Sequence, residues 1–536
     1  MPGWNFADVW EIVAEKLPDA PCQIQGERSL TWGDVDRRAN GIAQWFLDIG
    51  VEEQDKVAHY LYNCPEYLES MFGMFKAGLV PVNTNYRYAD EELLYLWDNA
   101  DAVAVVFHGT FSDRIETLRH KLPKIKGWLW VDDGEGPCPD WATPYEDVAV
   151  RGEAGANVKG PWGRDGDHIY MLYTGGTTGM PKGVMWRQDD IFATLNASSL
   201  GVRFSAEPDL DQVRSGLNAP GAKVLPACPL MHGTGAFTSF SQLSSGGCVV
   251  TLVNRHFDAE ELLEAIERNK VNVLAIVGDA FGKPMLRALD ANPGKYDISS
   301  LMAVVSSGVM WSEETKQGLL KHHSGMLLAD QFSSSEALGM GSSVSSAAGT
   351  TTTAKFKLGD NAIVITEDGR RIEPGSGEVG MVAVKGRTPV GYYKDPEKSA
   401  RTFKVIDGER YSVPGDFATV EADGTLTLLG RGSVCINTGG EKVFPEEVEE
   451  VLKRHLSIRD AVAVGVPDEK WGEAIVAVVE PEEGTSIDEA DVITHVKSHL
   501  AAFKAPKRVL TIETIGRAPN GKVDYKRLKG YATERV

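Results

Sequence analysis

Cysteine is scarce in these 536 residues. The six thiols, Cys22, Cys64, Cys138, Cys228, Cys248 and Cys435, form no C-x-x-C and have no closely spaced histidine partners. That argues against a disulfide framework or a structural zinc site. No run approaches the roughly 18 apolar residues of a membrane span. The opening Met1-Pro-Gly-Trp-Asn-Phe-Ala-Asp-Val-Trp10 lacks the basic and then apolar stretch of a secretory signal. Positive charge is short too: 55 Lys/Arg stand against 76 Asp/Glu, a net −21, so no surface-wide grip on nucleic acid or anionic lipid is expected. These absences leave an acidic, enzyme-sized chain expected to be cytoplasmic, with no nucleic-acid partner and no integral membrane segment. A small, locally basic anion site remains open.

The composition is ordinary for a globular chain, 42% hydrophobic and 24% charged. Helical patterns alternate with short apolar runs over most of its length. Asp258 can cap a helix, Glu261 sits three residues later, and Leu262, Leu263 and Ile266 make one apolar stripe. Val271–Val277 follows as a buried strand would, then another helical stretch, then Leu301–Val305. Asp55–Asn63 and Ala102–Phe107 fit the same rhythm, which predicts an α/β protein whose mostly parallel sheets are covered by helices.

After about residue 355 turn signals crowd in, including Glu367-Asp-Gly369 and Ala422-Asp-Gly424, with short strand-like runs between them. This predicts a small antiparallel β region. The Ser/Ala/Gly/Thr-rich stretch Ser333–Thr353 reads as a loop. Gly430-Arg431-Gly432 reads as a joint. Beyond it, Pro445 and the acids Glu446 and Glu447 open a helix, two strands lie near 461–464 and 474–479, and a further helix near 489–500 completes an α+β module. The expected division is 1–430, a hinge at 431–433, and 434–536. Charge is uneven, with ten Lys/Arg against three Asp/Glu from Lys497 to Val536; this is either a solvated face or a terminus that approaches a polyanion.

The densest chemistry lies in Tyr173-Thr174-Gly175-Gly176-Thr177-Thr178-Gly179-Met180-Pro181-Lys182-Gly183. Glycines let backbone N–H groups close on an anion, the threonines add hydroxyl donors and Lys182 adds a cation. The segment reads as a triphosphate cradle, although no G-x-x-x-x-G-K-[ST] spacing is present. It resembles the phosphate-binding loop of the adenylate-forming superfamily: acyl-CoA synthetases, peptide-synthetase adenylation domains and beetle luciferases.

Further segments resemble that family in the family's order, across nearly the whole chain. Pro229-Leu-Met-His232 looks like the segment beside the carboxylate substrate, where an imidazole could orient the acid; a lone histidine is otherwise more often structural. Ser306-Ser307-Gly308-Val309 is similar to the adenine-pocket segment, with Met310 where Pro usually stands. In Gln331-Phe332-Ser333-Ser334-Ser335-Glu336 the resemblance makes Phe332 the adenine-stacking ring, Ser335 the stand-in for a threonine and Glu336 the Mg²⁺ ligand; one carboxylate suffices for magnesium on nucleotide phosphates. Gly415-Asp416 matches the ribose-binding acid, and Arg431 supplies a guanidinium for ribose or phosphate, with Ser433 where the family usually carries a charged hinge residue. Gly439-Gly440-Glu441-Lys442 looks like the loop that faces coenzyme A, or is a plain turn before a helix. Pro519-Asn520-Gly521-Lys522 resembles the C-terminal motif whose lysine is catalytic.

The resemblance implies an acyl-CoA synthetase, in the fatty-acid or steroid-side-chain branch. Its substrates would be ATP with Mg²⁺, a hydrophobic carboxylic acid and coenzyme A. The acid would become an acyl-adenylate and then a thioester, with the small C-terminal domain swinging between the two steps. Small residues in Gly233–Phe240 and Gly278–Met285 (Gly235, Ala236, Gly278, Ala280, Gly282) would leave room for a bulky acyl group, unless neighbouring loops fill the space. The alternative is a stand-alone adenylating enzyme that loads a carrier protein. A homodimer is left open.

Overall fold

A computed structural model gives the fold and describes all residues except 1–2, 175–179, 200, 439–440, 469–471 and 520; the side chains of Ser433, Glu441 and Lys442 are also outside it. Three sheets organise the described residues. The first runs, in spatial order, Gly391–Tyr392, Lys182–Arg187, Ile169–Thr174, Val80–Asn83, Lys56–Tyr60, Ala102–His108, Gly127–Val131 and Thr143–Pro144. Its centre is parallel, and its Lys182–Arg187 edge is antiparallel. Ala102–His108 is buried along its whole length, as a central strand covered on both faces must be.

Inside an antiparallel edge strand, Arg28–Thr31, the second sheet has five parallel pairings that link Pro21–Gln25, Cys248–Thr251, Lys223–Pro226, Val273–Ile276, Ala303–Ser307 and Leu327–Ser334. It then continues without a break into antiparallel strands ending at Phe403–Ile406. The expected antiparallel region is therefore an extension of this sheet. The stretch expected to be a loop is largely strand: Leu327–Ser334 pairs with Ala337–Ser345, Leu328 facing Ser345. Its serines and glycines read as loop, but neighbours on both sides supply the ladder. Asp258 accepts from the Glu261 N–H at 2.9 Å and caps helix Ala259–Asn269, as its sequence predicts.

The largest apolar cluster lies where helices Phe6–Lys16, Trp32–Asp48, Pro65–Ala77 and Gly233–Ser244 meet between the first two sheets. Phe6, Trp10, Phe75 and Phe240 interlock there with ring centroids 5.2–6.2 Å apart.

The third sheet is the C-terminal module. Ile458–Asp468 and Gly472–Pro481 form a long antiparallel pair, and the free edge of Gly472–Pro481 takes Ile436–Thr438 at its Gly472 end, followed outward by Glu441–Val443, and Arg508–Thr511 in parallel further along. Helices Pro445–Leu452, Glu489–His499 and Tyr525–Thr533 pack on it. Four cations of the basic tail are paired within the module: Lys504 with Glu447 at 2.5 Å, Arg508 with Glu489 at 3.0 Å, Arg517 with Asp460 at 2.6 Å and Lys529 with Glu473 at 2.8 Å. That favours the solvated-face reading over a polyanion-seeking tail. Among the described residues no helix is long and apolar enough to cross a membrane.

Candidate active site

Strand geometry fixes both ends of the glycine-rich segment. Thr174 ends one strand, Lys182 begins the next, and the two are direct partners in the antiparallel ladder. Gly175, Gly176, Thr177, Thr178 and Gly179 lie outside the described residues. The Lys182 ammonium is paired with Asp395, which also caps helix Pro396–Thr402 by accepting from the Lys398 N–H at 2.9 Å. The Lys182 contact in turn holds the Asp395 carboxyl below its ordinary range. Asn83 ties this end of the site together. Its amide donates to the carbonyls of Tyr173 (2.9 Å) and Met231 (2.8 Å), and its Oδ1 accepts from the Tyr173 N–H at 2.6 Å. One side chain thus fixes the residues preceding both Thr174 and His232.

His232 stands at the N-terminus of helix Gly233–Ser244. Burial first, and the Lys522 charge second, push its imidazole down to about 3. The ring is neutral at neutral pH and can offer a carboxylate a hydrogen bond, not a charge.

Opposite lie the acids and the guanidinium. Asp416 and Arg431 are cross-strand partners, and Arg431 Nε donates to Asp416 Oδ1 at 3.1 Å. Asp416 first, with Glu336 also contributing, raises the Arg431 pKa, so that this cation stays charged. Asp416 Oδ2 is buried with no partner among the described residues, an acceptor that a ribose hydroxyl would satisfy. Glu336 is 8% exposed. Its Oε1 accepts from Tyr392 Oη at 2.8 Å, and its carbonyl accepts from Ser412 Oγ at 2.6 Å. Trp186 Nε1 donates to the Ser335 carbonyl at 2.9 Å, joining this turn to the strand that begins at Lys182. Phe332 is buried against Phe356, ring centroids 5.5 Å apart, so most of its surface is spent on the core. These donors fit ATP with magnesium: an orphaned carboxylate oxygen, a fixed guanidinium and one anchored glutamate.

The C-terminal module enters the same space. Lys522 is exposed, yet it lies within electrostatic reach of Arg431, Glu336, Asp416 and His232 together. Burial first, then Arg431, lowers its pKa against the opposing pull of Glu336 and Asp416. Gly521 explains the approach. Its φ is +72°, and an added Cβ would lie 3.0 Å from Val309, 3.1 Å from Val277 and 3.4 Å from Ala280. Gly521→Ala should therefore wedge the lysine loop away and cut adenylate formation about tenfold, with the fold intact by circular dichroism; a one-methyl displacement at a reacting centre has that scale or more. Unchanged acid-dependent pyrophosphate exchange would show that the contact is idle.

Ser307 and Gly308 lie on this same rim, Gly308 with φ +96° and Val277 and Thr234 as its nearest neighbours. The small residues expected to leave acyl space are largely filled. A Cβ at Gly235 would lie 2.7 Å from the Pro229 carbonyl oxygen, one at Gly278 2.4 Å from that of Met310, and one at Gly282 3.0 Å from the Trp311 indole. Their smallness serves close packing. Lys442 pairs with Asn437 in the module's sheet, but its side chain, like Gly439 and Gly440, lies outside the described residues. Asn83, Tyr392 and Asp395 escaped the sequence reading, since isolated Asn, Tyr and Asp carry no local signal.

The chain belongs to the AMP-binding enzyme family: the family's profile matches residues 10–393, and the profile of the AMP-binding enzyme C-terminal domain matches 447–522. Its relatives include a medium/long-chain-fatty-acid–CoA/3-oxocholest-4-en-26-oate–CoA ligase of Mycolicibacterium smegmatis, 40% identical over 99% of this chain and 97% of the relative. A 3-oxocholest-4-en-26-oate–CoA ligase of Rhodococcus rhodochrous is 39% identical over 97% and 95%. Among solved structures, the anthranilate CoA ligase AuaEII with anthranoyl-AMP superposes with TM-score 0.85 at 20% identity, over 100% of this chain and 98% of that one. ATP-bound MatB of Rhodopseudomonas palustris superposes with TM-score 0.80 at 22% identity, over 99% of each chain.

Proposed function

We propose that this chain activates a hydrophobic carboxylic acid, of the fatty-acid or steroid-side-chain kind, and passes it to coenzyme A. The chain is an AMP-forming acyl-CoA ligase: it belongs to the AMP-binding enzyme family, and its relatives are named CoA ligases of such acids. One observation supports the assignment of roles: Gly521, next to Lys522, lies against Val309, Val277 and Ala280 of the large N-terminal part, on the side where Asp416, Arg431, Glu336 and His232 act on the lysine.

A carboxylate must attack the α-phosphorus of ATP although both are anions, so catalysis is neutralisation and in-line positioning. Thr174, the glycine loop and Lys182 cradle the phosphates, with Asp395 as the counter-ion from which the nucleotide draws Lys182. Asp416 and Arg431 hold the ribose, while Ser307, Gly308 and Phe332 border the base. His232 orients the acid as a neutral donor. Glu336, set by Tyr392, holds Mg²⁺, which when bound supplies charge neutralisation on the phosphates. Lys522 stabilises charge at the transferring centre. Once pyrophosphate leaves, the module turns about 431–433 and the 439–442 loop borders the coenzyme A path.

The test is pyrophosphate release over a panel of acetate, medium and long fatty acids, aryl acids and steroid-side-chain acids, followed by product analysis with coenzyme A alone. Hydrophobic acids should give acyl-CoA efficiently. Adenylation that halts until a carrier protein is added would replace this reading with the carrier-loading one.

A further inference from the structure

The joint between the second sheet and the C-terminal module is closed by one carboxyl group with no assigned role. Glu446, in the first turn of helix Pro445–Leu452, reaches back over Gly430 and Arg431. Its Oε1 accepts from the Arg431 backbone N–H at 3.4 Å. Its Oε2 is buried and has no partner among the described residues. Gly430 admits it: φ is +124°, and a Cβ there would stand 2.1 Å from that Oε2. The same Arg431 grips Asp416 through its side chain, so the contact lies one residue's width from the ribose-facing pair.

The groups around this carboxyl are mostly acidic. Asp416 faces it from the second sheet and Glu449 from its own helix, while Tyr525 approaches from helix Tyr525–Thr533. Glu449 in turn accepts from Tyr525 Oη at 2.9 Å and from the Ala463 N–H at 3.1 Å. Two backbone N–H groups, its own and that of Arg431, favour the charged form. A buried carboxylate oxygen without a partner is costly as an anion and far less so as an acid.

We propose that Glu446 is a positioning residue, a latch that holds the C-terminal module on the Gly430–Arg431 joint in the adenylate-forming arrangement and opens when the carboxyl ionises. The proposal rests on the two-pose reading given above. Burial first, and Glu449 second, raise the carboxyl's pKa well above the ordinary carboxylate range in the latched pose. In a pose where Glu446 meets water, that elevation disappears. The latched pose is then the better proton binder, favoured at low pH and lost as pH rises between the two values. Within that window the ratio of latched to open falls by up to about tenfold per pH unit.

Two readouts test this in the full-length protein between about pH 5.5 and 9. The first is hydrogen exchange at the Arg431 amide, corrected for intrinsic chemistry, which needs no substrate. In the wild type protection should fall as pH rises, by up to about tenfold per unit; in Glu446→Gln, neutral at every pH, it should stay flat. The second is the split between half-reactions. Glu446→Ala should lower acid-dependent pyrophosphate exchange several-fold yet spare thioester formation from preformed acyl-adenylate, and Glu446→Gln should restore exchange. A Gln variant that keeps the wild-type pH dependence of protection, or an Ala variant that lowers both half-reactions alike, overturns the latch. Failure of every acid in the panel to support exchange would sink the ligase reading, while the amide measurement still decides the latch.

Discussion

Lys522→Ala should reduce acid-dependent pyrophosphate–ATP exchange by on the order of 10²–10³, the cost of removing one positioned group that stabilises transition-state charge. ATP affinity should change little. Thr174 and Lys182, which flank the glycine-rich segment, are set by ladder pairing within the first sheet, and Asp416 with Arg431 belongs to the second; neither needs the C-terminal module to take shape. The lysine instead arrives from a separate sheet, through the close contact of Gly521 with Val309 and Val277. The reverse half-test is sharper: thioester formation from synthetic acyl-adenylate and coenzyme A should survive the substitution. The pH dependence has a definite sign. Burial and Arg431 lower the lysine's pKa below its ordinary 10.5, so the ammonium is lost earlier in alkali than a free lysine's would be. Exchange should decline on the alkaline limb as that proton leaves, and Lys522→Arg, which stays charged, should lack that decline even if its rate is lower. Titration calorimetry with ATP beside the exchange assay checks the whole pattern; unchanged exchange in the alanine variant would remove Lys522 from the mechanism.

What the sequence disclosed and what it hid divide along physical lines. Val273–Ile276 and helix Ala259–Asn269 were legible because branched residues and a capped apolar stripe are local signals. The strand pair Leu327–Ser334 and Ala337–Ser345 was not, because its inward positions include Ser343 and Ser345, small polar residues buried by neighbouring strands. Tertiary context there overrides propensity. The fusion of parallel and antiparallel halves into one sheet rests on the pairing of Leu327–Ser334 with both Ala303–Ser307 and Ala337–Ser345, which no window of sequence contains. The site follows the same rule. Contiguous motifs single out Lys182, Glu336 and Lys522 as candidates. Asn83, Tyr392 and Asp395 act across separations of 56 to 213 residues and announce nothing. The basic tail stayed open between two readings because composition counts charges but not their partners.

The largest stability effect is expected far from the nucleotide, at Lys76. Its ammonium is fully buried at the C-terminal end of helix Pro65–Ala77, 2.6 Å from Glu11 and 2.8 Å from Asp36. Those acids belong to helices Phe6–Lys16 and Trp32–Asp48, so one cation ties three helices at the edge of the central apolar cluster. Arg164 completes the network, donating to both oxygens of Glu11 at 2.7 Å and to the Lys76 carbonyl at 3.1 Å. Lys76→Met keeps the stem's volume and deletes the charge, leaving Asp36 buried beside a thioether and Glu11 with Arg164 alone. Breaking a buried pair from one side costs about 3–5 kcal/mol, because the abandoned charge has nowhere to go. Desolvation alone would raise the Glu11 carboxyl, but Arg164 and Lys76 together bring it below its usual 4.5. In the wild type its contribution is therefore present above the unfolded value and fades as pH falls through the folded one. In the variant the penalty is greatest at neutral pH and shrinks on mild acidification, because a protonated acid no longer needs the cation. Denaturant unfolding followed by tryptophan fluorescence suits the measurement, since Trp10 and Trp32 lie on two of the tied helices. A Lys76→Met loss that stayed constant from neutral to mildly acid pH would mean that the methionine fails through packing alone, and that the three helices are held by their apolar faces without help from the buried ammonium.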